Sequence, residues 1–184
     1  MRLIIEALLT TLDQNKKANF APMGIEFKAD KLLIKPFKTT DSFKNLLATK
    51  VGVVNITDNI LAFTKAALVE PILPSFKAEM ISGRIYKESC YYYEFRVEEI
   101  KKNQQRALVE AEIVKKERLK DFIGYNRAAN LILEILIAVT RLNISWSKKE
   151  INNLINEKEE LITKTGGKIE KEALRYIKNY LNSN

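Results

Sequence analysis

Near residue 120 the spacing of apolar residues changes from every second position to every third or fourth, and no single layer of secondary structure accommodates both periods. Before that point, short β-rich runs alternate with polar turns. Residues 4–12, 18–27 and 32–37 are separated by Asp13-Gln14-Asn15-Lys16-Lys17 and by Lys28-Ala29-Asp30, the pattern of two successive hairpins. Residues 51–57, Val-Gly-Val-Val-Asn-Ile-Thr, form a continuous apolar run of the kind a strand buried on both faces requires. Further strands are expected over 79–86, 90–101 and 106–116. In the second of these, Tyr91, Tyr93, Phe95 and Val97 alternate with Tyr92, Glu94, Arg96 and Glu98, which predicts one packed face and one mostly wet face. Short helices are expected over 42–50 and 60–68, the latter ending before Glu70-Pro71.

After residue 120 the pattern is helical. Ala129, Ile132, Leu133, Leu136, Ile137 and Thr140 recur at spacings of three and four within 126–142. A second amphipathic helix is expected over 148–164, closed by Thr165-Gly166-Gly167, and a third over 169–181. The chain therefore reads as α+β: a closed or nearly closed antiparallel barrel with short helices over 1–120, then a C-terminal three-helix region over 121–184.

Composition removes much chemistry. With no histidine and the single Cys90, the chain can build no Ser-His-Asp triad, no Cys-His pair, no histidine-ligated metal and no cysteine-held zinc or iron–sulfur cluster. No metal site is expected. Catalysis would have to run on carboxylates, Lys, Arg, Tyr, Ser, Thr, the one thiol or a borrowed cofactor. The net charge of +8 is scattered in Lys-Glu mixtures such as 115–121, the pattern of a solvated surface, so a nucleic-acid partner is not expected; a bound anionic small molecule is compatible with it. The N-terminus lacks the apolar stretch of a signal peptide, and the most apolar run, 131–139, falls short of the ~20 residues that cross a bilayer, so a cytoplasmic protein with no membrane partner is expected.

Two segments carry more specific signals. Asn19-Phe20-Ala21-Pro22-Met23-Gly24 ends the second expected strand. Small residues at Ala21 and Gly24 let backbone approach a flat ring and Pro22 stiffens the bend, while the plainer alternative is an edge strand with a proline bulge. Some dozen residues on, Lys38-Thr39-Thr40-Asp41-Ser42-Phe43-Lys44-Asn45-Leu46 lies where a strand passes into a helix. Exposed N–H groups, hydroxyls and a lysine there suit a phosphate; the alternative is that Thr40 or Asp41 simply caps the helix.

The first segment resembles the Asn-x-Ala-Pro-Met-Gly stretch of the FMN-binding split barrels, the flavoreductase-like family. The second is similar to the Thr-x-Thr/Ser-x-x-Asn-Leu pattern of an uncharacterised, largely archaeal branch of that family, matched by Thr40, Ser42, Asn45 and Leu46. The same branch resembles this chain in an Asn-containing central strand (Asn55), an aromatic-x-x-Ala-Ala-Leu helix (63–68), and the Asn126-Arg127-Ala128 and Thr140-Arg141-Leu142 motifs of a C-terminal helical region. The central strand departs from the branch at Asp58-Asn59, where paired acids are usual.

The resemblance implies a split barrel with FMN as cofactor, held by Asn19, Ala21, Pro22, Met23, Gly24, Lys38, Thr39, Thr40, Ser42, Asn45 and Asn55, in a groove at a homodimer interface. It further implies electron transfer from a nicotinamide or deazaflavin donor to a small-molecule acceptor that the residues do not identify. Arg127 reads either as a cation near the cofactor or as a helix-start salt bridge. Cys90, without a resolving partner, reads as a buried inert thiol, and the tyrosine run 91–93 as barrel wall. The alternative class is a non-catalytic flavin-binding or dimeric interaction module.

Overall fold

In the computed structural model, which describes residues 3–69 and 71–184, six strands close on themselves in the order β1-β2-β3-β8-β7-β4, every neighbouring pair antiparallel. They are β1 (Ile4–Leu12), β2 (Ala18–Lys28), β3 (Lys31–Ile34), β4 (Val51–Ile56), β7 (Tyr91–Lys102) and β8 (Ala107–Arg118). A two-stranded ribbon, β5 (Ser75–Lys77) with β6 (Arg84–Tyr86), stands apart from the barrel order. The helices are α1 (Asp41–Thr49), α2 (Ile60–Leu68), α3 (Arg127–Val139), α4 (Lys148–Thr165) and α5 (Lys168–Ser183). Met1, Arg2 and Glu70, read above as part of the N-terminus and as the stop of a helix, lie outside the described residues.

The two expected hairpins form β1, β2 and β3 with the turns where the polar runs placed them. Inside the barrel, Ala7 and Leu9 of β1, Ile25 of β2, Leu32 and Ile34 of β3, Val54 of β4, Phe95 of β7 and Val109 of β8 make one core. Helix α1 contributes Phe43 and Leu46 to the same core. Thr40 is its N-cap, its hydroxyl accepting from the Phe43 N–H at 3.4 Å, and Lys50 closes the other end with φ of 59°.

Phe95 is the largest side chain at the barrel centre, and Gly52 is the residue that admits it. A Cβ on Gly52 would sit 2.6 Å from Phe95 Cζ and 3.2 Å from the Thr10 carbonyl oxygen.

Two expectations need correction. The strand over 79–86 is broken: Ala78 donates to Gly83 O at 3.0 Å, so the chain turns over residues 78–83 between β5 and β6. The outer face of β7 is not wet at its start. Tyr92 is 1% exposed and packs with Val53 and Ile85, while Glu94, fully buried, accepts from the N–H groups of Glu79 and Met80 at 3.0 and 2.7 Å. The ribbon covers that face, so a carboxylate that alternation assigns to water instead receives two backbone donors. Tyr92 donates to Glu117 at 2.6 Å, and burial together with that bond pushes its phenol up to about 12.

The chain divides into two compact units. The barrel, ribbon and α1 belong to one; α2 and α3 to α5 belong to the other, so one of the two short helices expected within 1–120 packs with the C-terminal helices. Within the helical unit Lys65 of α2 lies 3.7 Å from Glu172 and 5.5 Å from the centre of the Tyr176 ring, both on α5. α3 buries Ala128, Ile132, Ile135, Leu136, Ala138 and Val139. Its deepest stripe is thus turned from the expected one, because a nearly all-apolar helix leaves its orientation to packing. Ser147 and Glu150 form a capping box at the start of α4.

Replacing Gly52 by Ala is expected to destabilise the barrel by about 1–3 kcal/mol, because the added methyl meets a packed ring and a carbonyl rather than a movable chain end. Urea unfolding checks this, and Gly52→Ala combined with Phe95→Leu should recover part of the loss.

Candidate functional site

β2 is paired along its whole length with β1, from Ile4↔Glu26 to Leu12↔Ala18, but with β3 only from Ile25 to Lys28. Among the described strands, nothing pairs with the other side of residues 18–24. Asp13 donates to Lys17 O at 3.0 Å, which sets the ladder so that odd-numbered residues of β2 bond to β1. Phe20, Pro22 and Gly24 therefore turn their backbone groups to the open side. A proline fits there because its missing N–H withdraws nothing from the β1 ladder. The Asn19–Gly24 segment is in this way an open strand edge carrying the N–H groups of Phe20 and Gly24 and three carbonyls.

Side chains of the segment divide between two faces. Asn19, Ala21 and Met23 pair across β1 with Thr11, Leu9 and Ala7 and share the inner face, where Met23 packs on the core. Pro22 and Gly24 share the outer face with Glu6 and Ile4. A Cβ on Gly24 would meet Ile4 Cγ2 at 2.9 Å and Glu6 Oε1 at 3.5 Å, both ends of side chains.

The second segment is tied to the first by hydrogen bonds. Asn19 Nδ2 donates to Ser42 Oγ at 2.9 Å and, weakly, to Thr11 Oγ1 at 3.5 Å; Asn45 Nδ2 donates to the same Thr11 oxygen at 3.1 Å. Ser42 and Asn45 are buried, so this cluster fixes α1 against β1 and β2. Thr40 donates to Phe37 O at 2.8 Å besides capping α1. Thr39 is exposed and Lys38, half-buried, is anchored through its own N–H to Gln105 O at 3.1 Å. The first turn of α1 also carries Asp41, whose carboxyl is held low by the hydrogen bond from Lys44 at 2.8 Å. Beside it, the Arg106 guanidinium lies 3.9 Å over the Phe37 ring.

One expected site residue is spent on internal bonds. Asn55 is fully buried in β4 with its hydrogen-bonding capacity spent: Nδ2 donates to Leu8 O and Thr10 Oγ1 at 3.0 and 2.8 Å, and Oδ1 accepts from Tyr86 N–H and Ser89 Oγ at 2.9 and 3.2 Å. It holds strands together and has nothing left for a ligand. Arg127 is the exposed first residue of α3, in the helical unit. Cys90 is fully buried, as an inert thiol would be. Glu6, not singled out from the sequence, stands beside Gly24; only the strand register brings the two together.

Residues 5–120 match the family described as "Protein of unknown function (DUF447) N-terminal domain", and residues 126–179 match its companion DUF447 region. The chain belongs to the DUF447 family. A curated relative of this DUF447 chain, an uncharacterised protein of Methanocaldococcus jannaschii, is 28% identical over 197 residues, spanning 97% of this chain and 99% of the relative. Among solved structures, an FMN-bound DUF447 protein of Methanosarcina mazei superposes with a TM-score of 0.83 at 22% identity, covering 96% of this chain and 94% of that one. A flavoredoxin of Methanosarcina acetivorans gives 0.58 at 18% identity over 65% and 75% of the two chains. These likenesses establish the fold of the DUF447 chain as an α+β split barrel with C-terminal helices.

Thr11→Val keeps the shape of the side chain but leaves the Asn45 and Asn19 amides without their shared acceptor. A loss of about 1–3 kcal/mol in urea unfolding is expected, with faster amide exchange in α1 as the local signature.

Proposed function

We propose that this chain is an FMN-binding flavoprotein and acts as an oxidoreductase, carrying electrons from a nicotinamide or deazaflavin donor to a small-molecule acceptor. The observation that carries the reading is the open edge at Phe20, Pro22 and Gly24, hydrogen-bonded through Asn19 to the start of α1, in a chain similar over nearly its full length to an FMN-bound protein of its own family.

The residues fit the cofactor. A flavin's pyrimidine ring offers carbonyl acceptors and one N–H donor along one side; the carbonyl of Pro22 and the N–H of Gly24, neighbours on the open side of β2, are a complementary acceptor and donor, and Gly24 presents no side chain to hold the ring off. The phosphate falls to the exposed end of α1, where Lys38, Thr39 and Thr40 supply a cation and hydroxyls beside free helix N–H groups, Ser42 being buried behind them against Asn19, and Lys44 offsets the charge of Asp41. When bound, FMN supplies two-electron redox chemistry that needs no histidine, leaving the protein to bind, orient and exclude.

Homodimerisation with the flavin at the interface, and a cytoplasmic location, belong to the same reading. An open strand edge is a surface that a second subunit can cover, and no described helix is long and apolar enough to cross a membrane.

Purified protein is expected to be yellow, or to quench the fluorescence of added FMN at one equivalent per chain, with light scattering giving a dimer mass. A colourless protein that ignores FMN overturns the proposal. Anaerobic bleaching of the bound flavin by NADH, NADPH or a reduced deazaflavin supports an enzyme, and failure with all three favours a non-catalytic binding module. Changing Thr39 and Thr40 together to Ala is expected to weaken FMN binding by about 2–4 kcal/mol, measured on protein shown by circular dichroism to be folded, since Thr40 also caps α1.

A further inference from the structure

Glu6 is placed by β1 directly opposite Gly24, on the outer face, and its Oε1 lies 3.5 Å from where a Cβ of Gly24 would be. The carboxyl therefore reaches over the one residue of β2 that has no side chain to block it, toward the open edge. Ile4, 56% exposed, flanks it. Among the described residues, none hydrogen-bonds or ion-pairs with Glu6.

The cations described near this face are engaged elsewhere. On β2, Glu26 is two residues along the same face, and its carboxylate engages Lys28 at 3.9 Å and Lys35 at 3.6 Å. Those two cations are thus drawn to Glu26. On the other side of β1, the pairing with β4 covers only Leu8 to Thr10, so no β4 residue pairs with Glu6. Packing around the carboxyl raises its pKa above the ordinary glutamate value, in keeping with a group that lacks a cation.

We propose that Glu6 is the proton-carrying side chain of the cofactor edge: as the neutral acid it reaches past Gly24 and donates a hydrogen bond to a carbonyl oxygen of the flavin's pyrimidine ring. The inference rests on the flavin reading above. Ionisation removes the donor and sets a negative charge against an electron-rich ring, so affinity for flavin falls as pH rises through the Glu6 pKa. Because the side chain touches water as well as the strand edge, it exchanges its proton with solvent without any other residue moving.

The test is FMN titration of the full chain by fluorescence quenching from pH 5 to pH 8, wild type against Glu6→Gln, whose amide donates at every pH. The FMN phosphate itself titrates near ~6, but equally for both proteins, so the readout is the ratio of the wild-type to the variant Kd. That ratio is expected to be lowest at the acid end of the range and to rise about tenfold toward pH 8, and to do the same with riboflavin, which has no phosphate. Glu6→Ala, lacking the donor, should bind weakly at pH 5 and add no pH dependence of its own. A ratio that stays constant across the range, with binding intact, overturns the role of Glu6 alone. Failure of the wild type to bind either flavin at any pH overturns the flavin reading and this inference with it.

Discussion

The barrel depends on one buried amide. Asn55 lies in β4, and the four side-chain hydrogen bonds that it makes outside its own strand reach β1 twice, β6 once and the Ser89 hydroxyl once. A buried amide with any of these missing would cost more than it contributes. With all four present it prefers one arrangement of β1, β4 and the ribbon over any slipped register. The seam that closes the barrel is thereby specified by polar geometry, which apolar packing alone would leave loosely defined. Everything at the candidate site follows from that closure: β2 can keep half of one side open because β1, held in place on its other flank, supports it along its whole length.

Much of this was legible in the sequence because period-two alternation and turn chemistry are local. The β1-β2-β3 meander, the α1 and α2 helices and the three C-terminal helices appear within a few residues of where polar runs and apolar stripes put them. What was not legible depends on contacts distant in sequence. Glu94 looks solvated until the 78–83 turn brings two N–H groups onto it. Asn55 is a site candidate through the resemblance of its strand, and only the positions of Leu8, Thr10, Tyr86 and Ser89 show its amide spent on internal bonds. Of the candidate site, the Asn19–Gly24 and Lys38–Asn45 segments could be named from residue types, but their joining through Thr11 could not, and Glu6 carried no signal at all.

The absence of histidine gains a structural meaning beside this edge. A barrel lined with apolar side chains, with its polar groups mostly consumed in holding α1 and the ribbon, has little acid–base machinery of its own. What it offers at the β2 edge, besides the Glu6 carboxyl, is backbone donors and acceptors, which are fixed in place. Such a surface orients a ligand that brings its own chemistry far better than it performs chemistry on one that does not.

Pro22 has a further consequence for the protein when nothing is bound. An uncovered run of strand is a template on which another chain can assemble, and the usual result is aggregation. A proline at the middle of the run leaves carbonyls but interrupts the row of donors that an incoming strand would need. A short planar molecule spans too little of the edge to notice the gap, whereas a polypeptide laid along it must leave one carbonyl unanswered. The same residue that keeps the edge available thus favours short visitors over long ones, and lets a sticky surface persist on the barrel.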